Sequence, residues 1–195
     1  MSRFRNKSNV GGDFCKMRNK SVLNLVLAAL FLNLGLVLPF FTGNIPTFGA
    51  MLLPMHLPVL LCGIILGPKY GALVGLILPM TRSFLFGMPP IFPSAVTMTF
   101  ELAAYGGIIG LLYGRLPKTA PFLYTSLIGA MLAGRFVWAA ARTMLLGLME
   151  IPFSFEIFLA SGFINAIPGI IAQIVIIPTL IMALKRAGWR GDRER

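Results

Sequence analysis

Six long apolar runs, separated by short connections whose charge alternates, constrain this chain more than any other feature of its sequence. Each run is long enough to cross roughly 30 Å of hydrocarbon as an α-helix that rises about 1.5 Å per residue. The strands of a membrane β-barrel would instead be segments of about ten residues with alternating polarity. The sequence therefore predicts an all-α integral membrane protein, a compact bundle of six transmembrane helices. The predicted segments are residues 22–40, 48–66, 70–86, 96–113, 122–146 and 161–184.

The composition and the placement of charge agree with this fold class. The chain has 195 residues, of which 57% are hydrophobic and 12% charged, whereas soluble domains carry roughly 25% charged residues. Of the 17 Lys and Arg residues, 14 lie in the two tails or in the connections after the second and fourth runs, and three lie inside runs. The positive-inside rule then predicts a plasma-membrane protein with both termini in the cytoplasm. The net charge of +11 follows from topology, so nucleic acid is not expected as a partner.

We expect one membrane domain over residues 21–185, with basic cytoplasmic tails over 1–20 and 186–195. The apolar run behind the first tail is too long for a signal peptide, which favours a retained first helix. No Gly-x-x-x-x-Gly-Lys-Ser/Thr sequence occurs, so nucleotide energy would have to come from a partner. With one histidine, and with Cys15 and Cys62 in different kinds of segment, neither a metal nor any cofactor is expected in this chain.

Polar residues inside the apolar runs are the candidate functional residues. A charged side chain at the centre of a bilayer costs roughly 2.5–3.5 kcal/mol on insertion scales, so such residues usually have partners or functions. The predicted orientation places them toward the outer leaflet, where we expect the substrate-binding site. The predicted substrate-binding residues are Arg142, Arg135, Trp138, Arg82, Glu101, Asn165 and His56; no catalytic residue is predicted.

On the fifth segment, Arg135, Trp138 and Arg142 recur at helical spacing and share one face. Two guanidinium groups on either side of an aromatic ring suit an anionic ligand that also packs against the flat face of that ring. The four intramembrane charges sum to +2, which also favours a ligand carboxylate or phosphate. In the alternative interpretation Arg82 pairs with Glu101, Arg142 reaches water or Glu150, and Arg135 bonds helix carbonyls.

Glycine pairs at four-residue spacing, among them Gly71 with Gly75 and Gly106 with Gly110, predict close contacts between helices. The contacts are expected within the bundle or, as the alternative, with another subunit. The uncharged outer loops, residues 42–47 and 87–95, combine turn residues with apolar side chains. They are candidates for closing over a small molecule, although uncharged outer loops also follow from topology alone.

The turn Gly67-Pro68-Lys69-Tyr70-Gly71-Ala72-Leu73-Val74-Gly75, and the later run Phe100-Glu101-Leu102-Ala103-Ala104-Tyr105-Gly106, resemble the S component of energy-coupling factor transporters. The resemblance covers about residues 21–185. It implies a membrane-embedded subunit that binds a vitamin in its outer half, through outer loops and helices four to six. It also implies partners, namely a transmembrane coupling subunit and two ATPase subunits that use the ATP.

In that family, small residues on the first helix, often Ala-x-x-x-Ala, typically form the docking face. Here Ala28 and Ala29 are followed four residues later by Leu32 and Asn33, so the motif is incomplete, and the resemblance implies docking through Ala28, Ala29 and Gly35. An arginine-rich cluster suits the carboxylate of a pantothenate-type substrate, while cobalamin and other substrates stay open.

Two other classes of function stay open at this stage. One is a stand-alone solute carrier or channel, which would need neither a partner subunit nor ATP. The other is a membrane enzyme, which is less favoured because Glu101 is the only acidic residue within the runs and no Ser/His pair or metal cluster is evident.

Overall fold

The structure is a computed structural model that describes residues 7–41, 53–148 and 164–188, without the side chains of residues 7–19 and of Asn165. These residues form six α-helices and no strand, which confirms the all-α prediction. Short segments at Ile91–Ala95 and Ile164–Ala166 lead into the fourth and sixth helices. The helices are α1 (Lys7–Phe41), α2 (His56–Leu66), α3 (Pro68–Phe86), α4 (Val96–Arg115), α5 (Ala120–Gly147) and α6 (Ile167–Arg186).

Prolines and glycines determine where several helices begin. Proline lacks the backbone N–H that an interior helical residue donates, but the first turn leaves these groups unbonded, so it tolerates proline. Accordingly α3 begins at Pro68, and Pro168 is the second residue of α6. Gly67, with φ +93°, makes the break between α2 and α3. Residues that carry a side chain rarely adopt this backbone conformation, so glycine fits this turn.

The start of the second segment was predicted wrongly. The prediction placed a continuous helix over residues 48–66, whereas α2 begins at His56 and Leu53 precedes it with a positive φ of 49°. Pro58 falls in the first turn of α2, where its missing N–H costs no helical hydrogen bond. Residues 48–52 lie outside the described ranges.

Four stretches in the described residues are long and apolar enough to cross a membrane. Large apolar side chains remain exposed along them, including Val26 on α1, Phe136 on α5 and Val175 on α6, which fits contact with lipid. The 11 residues of α2 span only about 16 Å, and α3 is not among the four, so six complete crossings stay a prediction. The stretches are Lys20–Phe41, Ile91–Arg115, Ala120–Gly147 and Ile167–Arg186.

Helix α4 occupies the centre of the bundle. It packs against α2, α3 and α5, while α1 packs on α2 and α3, and α6 packs on α5 and α2. Leu102 and Ile109 of α4 are completely buried, together with Leu60 of α2, Leu78 of α3 and Ile177 of α6. The apolar core therefore draws on helices from both halves of the chain.

Glycines bring the backbones of α3 and α4 into direct contact. A Cβ atom added to Gly106 would lie 2.2 Å from the carbonyl oxygen of Gly71, and one added to Gly75 would lie 2.3 Å from that of Leu102. Only a residue without a side chain permits this approach. The predicted role of these glycines in helix contacts is confirmed, and the contacts seen here are internal to the bundle.

Several charged residues gather at one end of the bundle, which we call the basic end. It comprises the Gly67 turn with Lys69, the connection between α4 and α5, and the last turn of α6. Lys185 Nζ donates a hydrogen bond of 2.7 Å to the carbonyl oxygen of Lys118, which ties α6 to that connection. The prediction makes this the cytoplasmic end, and we call the other end the opposite end.

The three residues of α1 assigned to docking do not share a surface. Ala28 is buried, and a Cβ on Gly35 would lie 2.5 Å from Leu78 Cδ2 on α3. Ala29, in contrast, is exposed. Ala28 and Gly35 therefore pack inside the bundle in this conformation, and Ala29 alone among them is accessible to a partner.

Candidate functional site

Three helices each contribute one ionisable side chain to a contact in the bundle interior. His56 begins α2, Glu101 lies in the second turn of α4, and Arg135 lies near the middle of α5. Glu101 Oε1 is 2.9 Å from Arg135 Nη1 and 3.4 Å from His56 Nε2. Their exposed fractions are 0% for His56, 2% for Glu101 and 4% for Arg135. We call these residues the polar triad.

The polar triad retains unused hydrogen-bonding capacity. The close contact between Arg135 and Glu101 lacks the alignment of a hydrogen bond, so it is an ion pair held by charge. Arg135 Nε and Nη2 and His56 Nδ1 have no hydrogen-bond partner among the described residues. Buried polar groups are normally satisfied, so these atoms mark a place where a small polar molecule would gain hydrogen bonds.

Tyr105 forms one wall of the triad. It lies one helical turn beyond Glu101 on α4, and its ring meets the His56 ring edge to face, with centroids 5.0 Å apart. A Cβ on Gly134 of α5 would lie 2.8 Å from the Tyr105 ring. The tyrosine ring is therefore fixed between α2 and α5, and it limits the rotation of His56.

Arg142 and Trp138 form a second polar feature on α5, nearer the opposite end. The Arg142 guanidinium carbon lies 5.4 Å from the centre of the Trp138 ring, within the range of a cation–π contact. Trp138 is buried, Arg142 is half-buried, and Arg142 Nε has no hydrogen-bond partner among the described residues. The predicted common face of Arg135, Trp138 and Arg142 is confirmed.

Arg82 joins α3 to α1. Its Nη1 donates a hydrogen bond of 2.9 Å to the Leu36 carbonyl oxygen, and its guanidinium carbon lies 5.5 Å and 5.6 Å from the rings of Phe40 and Phe86. The two rings themselves meet edge to face. Arg82 therefore contacts the ends of two helices. Glu101 pairs with Arg135, which differs from the alternative interpretation that paired Arg82 with Glu101.

Other predicted features of the site fall partly outside the description. Asn165 belongs to the short helix Ile164–Ala166, but its side chain is not described, and neither are Glu150 and loop residues 42–47. The loop after α3 is described: Ser83 Oγ donates a hydrogen bond to the Pro89 carbonyl, and Ala95 N–H donates one of 2.9 Å to the Pro90 carbonyl. These bonds fix the loop to both neighbouring helices.

A protein-family profile described as "ECF transporter, substrate-specific component" matches residues 23–183. The chain belongs to this family. Comparison with curated proteins and with solved structures found no match. The family is a transporter component and not an enzyme family, and together with the apolar helices it makes this chain a multi-pass membrane protein.

In this S component, the groups in the bundle interior differ in charge and in the hydrogen bonds that they can form. The triad carries one positive and one negative charge when His56 is neutral, so its charges cancel. It offers N–H donors from Arg135, an acceptor at Glu101 and either role at His56. Arg142 adds a positive charge about 10 Å farther along α5.

Two residues of this interior were not predicted as site residues. Tyr105 follows Glu101 at the i+4 position, so helical spacing alone could have placed it on the same face. Gln173 on α6 is 1% exposed, and neither its Nε2 nor its Oε1 has a hydrogen-bond partner among the described residues. In the sequence it was indistinguishable from a residue that bonds a neighbouring helix.

Proposed function

We propose that this S component is the substrate-binding subunit of an ATP-driven energy-coupling factor importer. It captures a small, vitamin-like anion, with pantothenate as the best candidate, among α2, α4 and α5. The proposed site lies in the half of the bundle toward the opposite end, which the predicted orientation places in the outer leaflet. A transmembrane coupling subunit and two ATPases complete the transporter, and the ATP is used by those partners, so this chain needs no cofactor of its own.

The observation that carries this proposal is the buried polar triad with its unpartnered nitrogen atoms. Polar groups in a membrane interior cost free energy unless they are hydrogen-bonded, so the presence of unbonded ones here indicates a function. A bound solute would supply the missing hydrogen bonds to His56 and Arg135.

Arg142 supports the anionic character of the substrate. Glu101 already balances Arg135, and Arg82 is held at the junction of α1 and α3, so Arg142 is the cation best placed to bind a carboxylate. Trp138 next to it supplies a flat apolar wall. A guanidinium group binds a carboxylate with charge-assisted hydrogen bonds that are about twice as strong as neutral ones.

We propose that the coupling subunit docks on the exposed face of α1. Val22, Val26, Ala29, Asn33 and Val37 are exposed and recur at helical spacing on one side of α1. Ala29 provides the small residue for close helix approach. Asn33 Nδ2 bonds the Ala29 carbonyl oxygen of its own helix at 3.0 Å, which leaves its amide oxygen for a partner.

The first experiment tests the Arg142 assignment. The chain has two tryptophans, so the variant Trp189→Phe leaves Trp138 as the sole indole reporter of binding. We expect pantothenate to change its fluorescence saturably, and we expect Arg142→Ala to weaken that binding about tenfold or more, because one charge-assisted contact is lost. Arg115→Ala, which removes an exposed cation at the basic end, is the matched control and should leave the affinity unchanged.

Equal affinity in Arg142→Ala and the parent protein would show that Arg142 does not bind the carboxylate. Mass spectrometry of small molecules that co-purify with the protein tests the substrate without assuming its identity. Uptake by this chain in vesicles that lack the coupling subunit and ATP would instead support a stand-alone carrier.

A further inference from the structure

We infer that Gln173 of α6 binds the inner, uncharged end of the substrate, in the same layer as the polar triad. This inference rests on the proposed function and extends it, because it assigns one residue of α6 to a defined end of the substrate. It also specifies the substrate: an anionic group at one end, and a neutral group with both hydrogen-bond donors and acceptors at the other.

The first argument is the burial of an unsatisfied amide. Gln173 is 1% exposed, and both polar atoms of its side chain lack a hydrogen-bond partner among the described residues. A buried amide without a partner loses its hydration and gains nothing in return. Thr179 on the same helix behaves differently, because it is exposed and its Oγ1 bonds the Val175 carbonyl at 2.6 Å.

The second argument is depth within the bundle. Glu101 lies 14 residues before Arg115, Arg135 lies 15 residues after Ala120, and Gln173 lies 13 residues before Arg186. At about 1.5 Å per residue, all three are roughly 20–22 Å from the basic end. The bond from Lys185 to the Lys118 carbonyl aligns the basic end of α6 with those of α4 and α5.

The third argument is the direction in which Gln173 faces. The buried positions of α6 are Gly169, Gln173, Ile177, Pro178 and Ile181, which form a single face. This face packs against α5 and α2, the helices that carry Arg135 and His56. Gln173 therefore points into the bundle at the level of the triad.

The chemistry of this layer defines the inner end of the substrate. The Gln173 amide donates through Nε2 and accepts through Oε1, and the triad adds donors from Arg135 and an acceptor at Glu101. Because the charges of Arg135 and Glu101 cancel, the layer does not favour a second charge. An amide, ureido or polyol group fits it, with the carboxylate directed toward Arg142 on the side of the opposite end.

The test compares stability and binding in the Trp189→Phe protein, using pantothenate, biotin and nicotinate as probes. For Gln173→Met we expect the melting temperature without a probe to stay unchanged or rise, because an unsatisfied amide is replaced by an apolar side chain of similar length. We expect affinity for the probe that binds the parent protein to fall about tenfold or more. Thr179→Val is the matched control on α6 and should change neither quantity.

A lower melting temperature of the probe-free Gln173→Met protein would show that Gln173 stabilises the bundle itself, and this would overturn the inference. Unchanged probe affinity in that variant would also overturn it, while leaving the proposed function intact. If the parent protein responds to none of the three probes, the proposed anionic substrate is wrong and the inference fails with it.

Discussion

Glu101 is the carboxylate that holds the charged interior of the bundle together. Its Oε1 atom contacts both Arg135 and His56, and in the described ranges no second acidic side chain is buried. Removing one partner of a buried ion pair leaves the other charge without compensation, which destabilises a protein by roughly 3–5 kcal/mol. The loss of this single carboxylate should therefore affect folding as well as binding.

We expect Glu101→Gln to lower the stability of the purified protein by about 3 kcal/mol, because Arg135 would keep its charge without a counter-ion. Thermal unfolding in detergent measures the change. The double variant Glu101→Gln with Arg135→Gln removes both charges, and it should recover much of the lost stability. If the double variant is as unstable as Glu101→Gln, the ion pair is not the source of the loss.

At the scale of single residues, the sequence located the charged side chains within the helices better than it identified their partners. A charge inside an apolar run stands out, and helical spacing correctly placed Arg135, Trp138 and Arg142 on one face. Spacing along one helix cannot show which helices are neighbours. Glu101 was therefore available to Arg82 or Arg135, and the packing of α4 on α5 brought it to Arg135.

Helix α4 is the element on which the site is built. It carries Glu101 and Tyr105 on the side toward α2 and α5, and it contacts α3 through Gly106 at the distance of backbone atoms. Small shifts of α4 would therefore move the triad carboxylate. The glycine contact keeps this helix in register with α3, and α3 in turn holds the loop that follows it through the hydrogen bond from Ser83 to Pro89.

We expect Gly106→Ala to destabilise the protein by about 2–3 kcal/mol, because the new Cβ would lie 2.2 Å from the Gly71 carbonyl oxygen and would force the helices apart. Gly107→Ala is a closely matched control, since its Cβ would meet only the Ala72 Cβ, at 3.5 Å. The control should be neutral or stabilise α4 by about 0.5–1 kcal/mol. Thermal unfolding of both variants measures the difference, and equal stabilities would contradict the close packing of α3 on α4.

The ends of the helices were only partly predictable. Apolar length located all six, and Gly67-Pro68 marked a break that the structure confirms. The predicted start of α2 was wrong because apolar residues continue through Pro54 and Met55, so hydrophobicity alone gives no boundary there. Pro58 lies ten residues after the predicted start, where proline would remove a helical hydrogen bond, and it costs none in the first turn of α2. Pro79 and Pro178 nevertheless lie inside α3 and α6, so proline alone does not give the boundary either.

At the scale of the whole molecule, the distribution of charge links the fold to transport. The basic end gathers Lys69, Lys118 and Lys185, while the triad and Arg142 lie toward the opposite end. An importer must capture its substrate from outside, so the proposed site requires the opposite end to face outward. The positive-inside rule independently predicts that the basic end lies in the cytoplasm.

This orientation can be tested with single cysteines in a Cys15→Ser, Cys62→Ala background. Lys69 lies in the first turn of α3 and Met88 lies two residues after its last residue, and both are exposed. Lys69→Cys and Met88→Cys therefore mark the two ends of this helix. A membrane-impermeant maleimide should label Met88→Cys in intact cells, and it should label Lys69→Cys only after permeabilisation. In the reverse pattern, Lys69→Cys would be labelled in intact cells and Met88→Cys only after permeabilisation. The triad would then lie toward the cytoplasm, where it could not capture an external solute. This result would contradict import through this site even if the purified protein binds pantothenate.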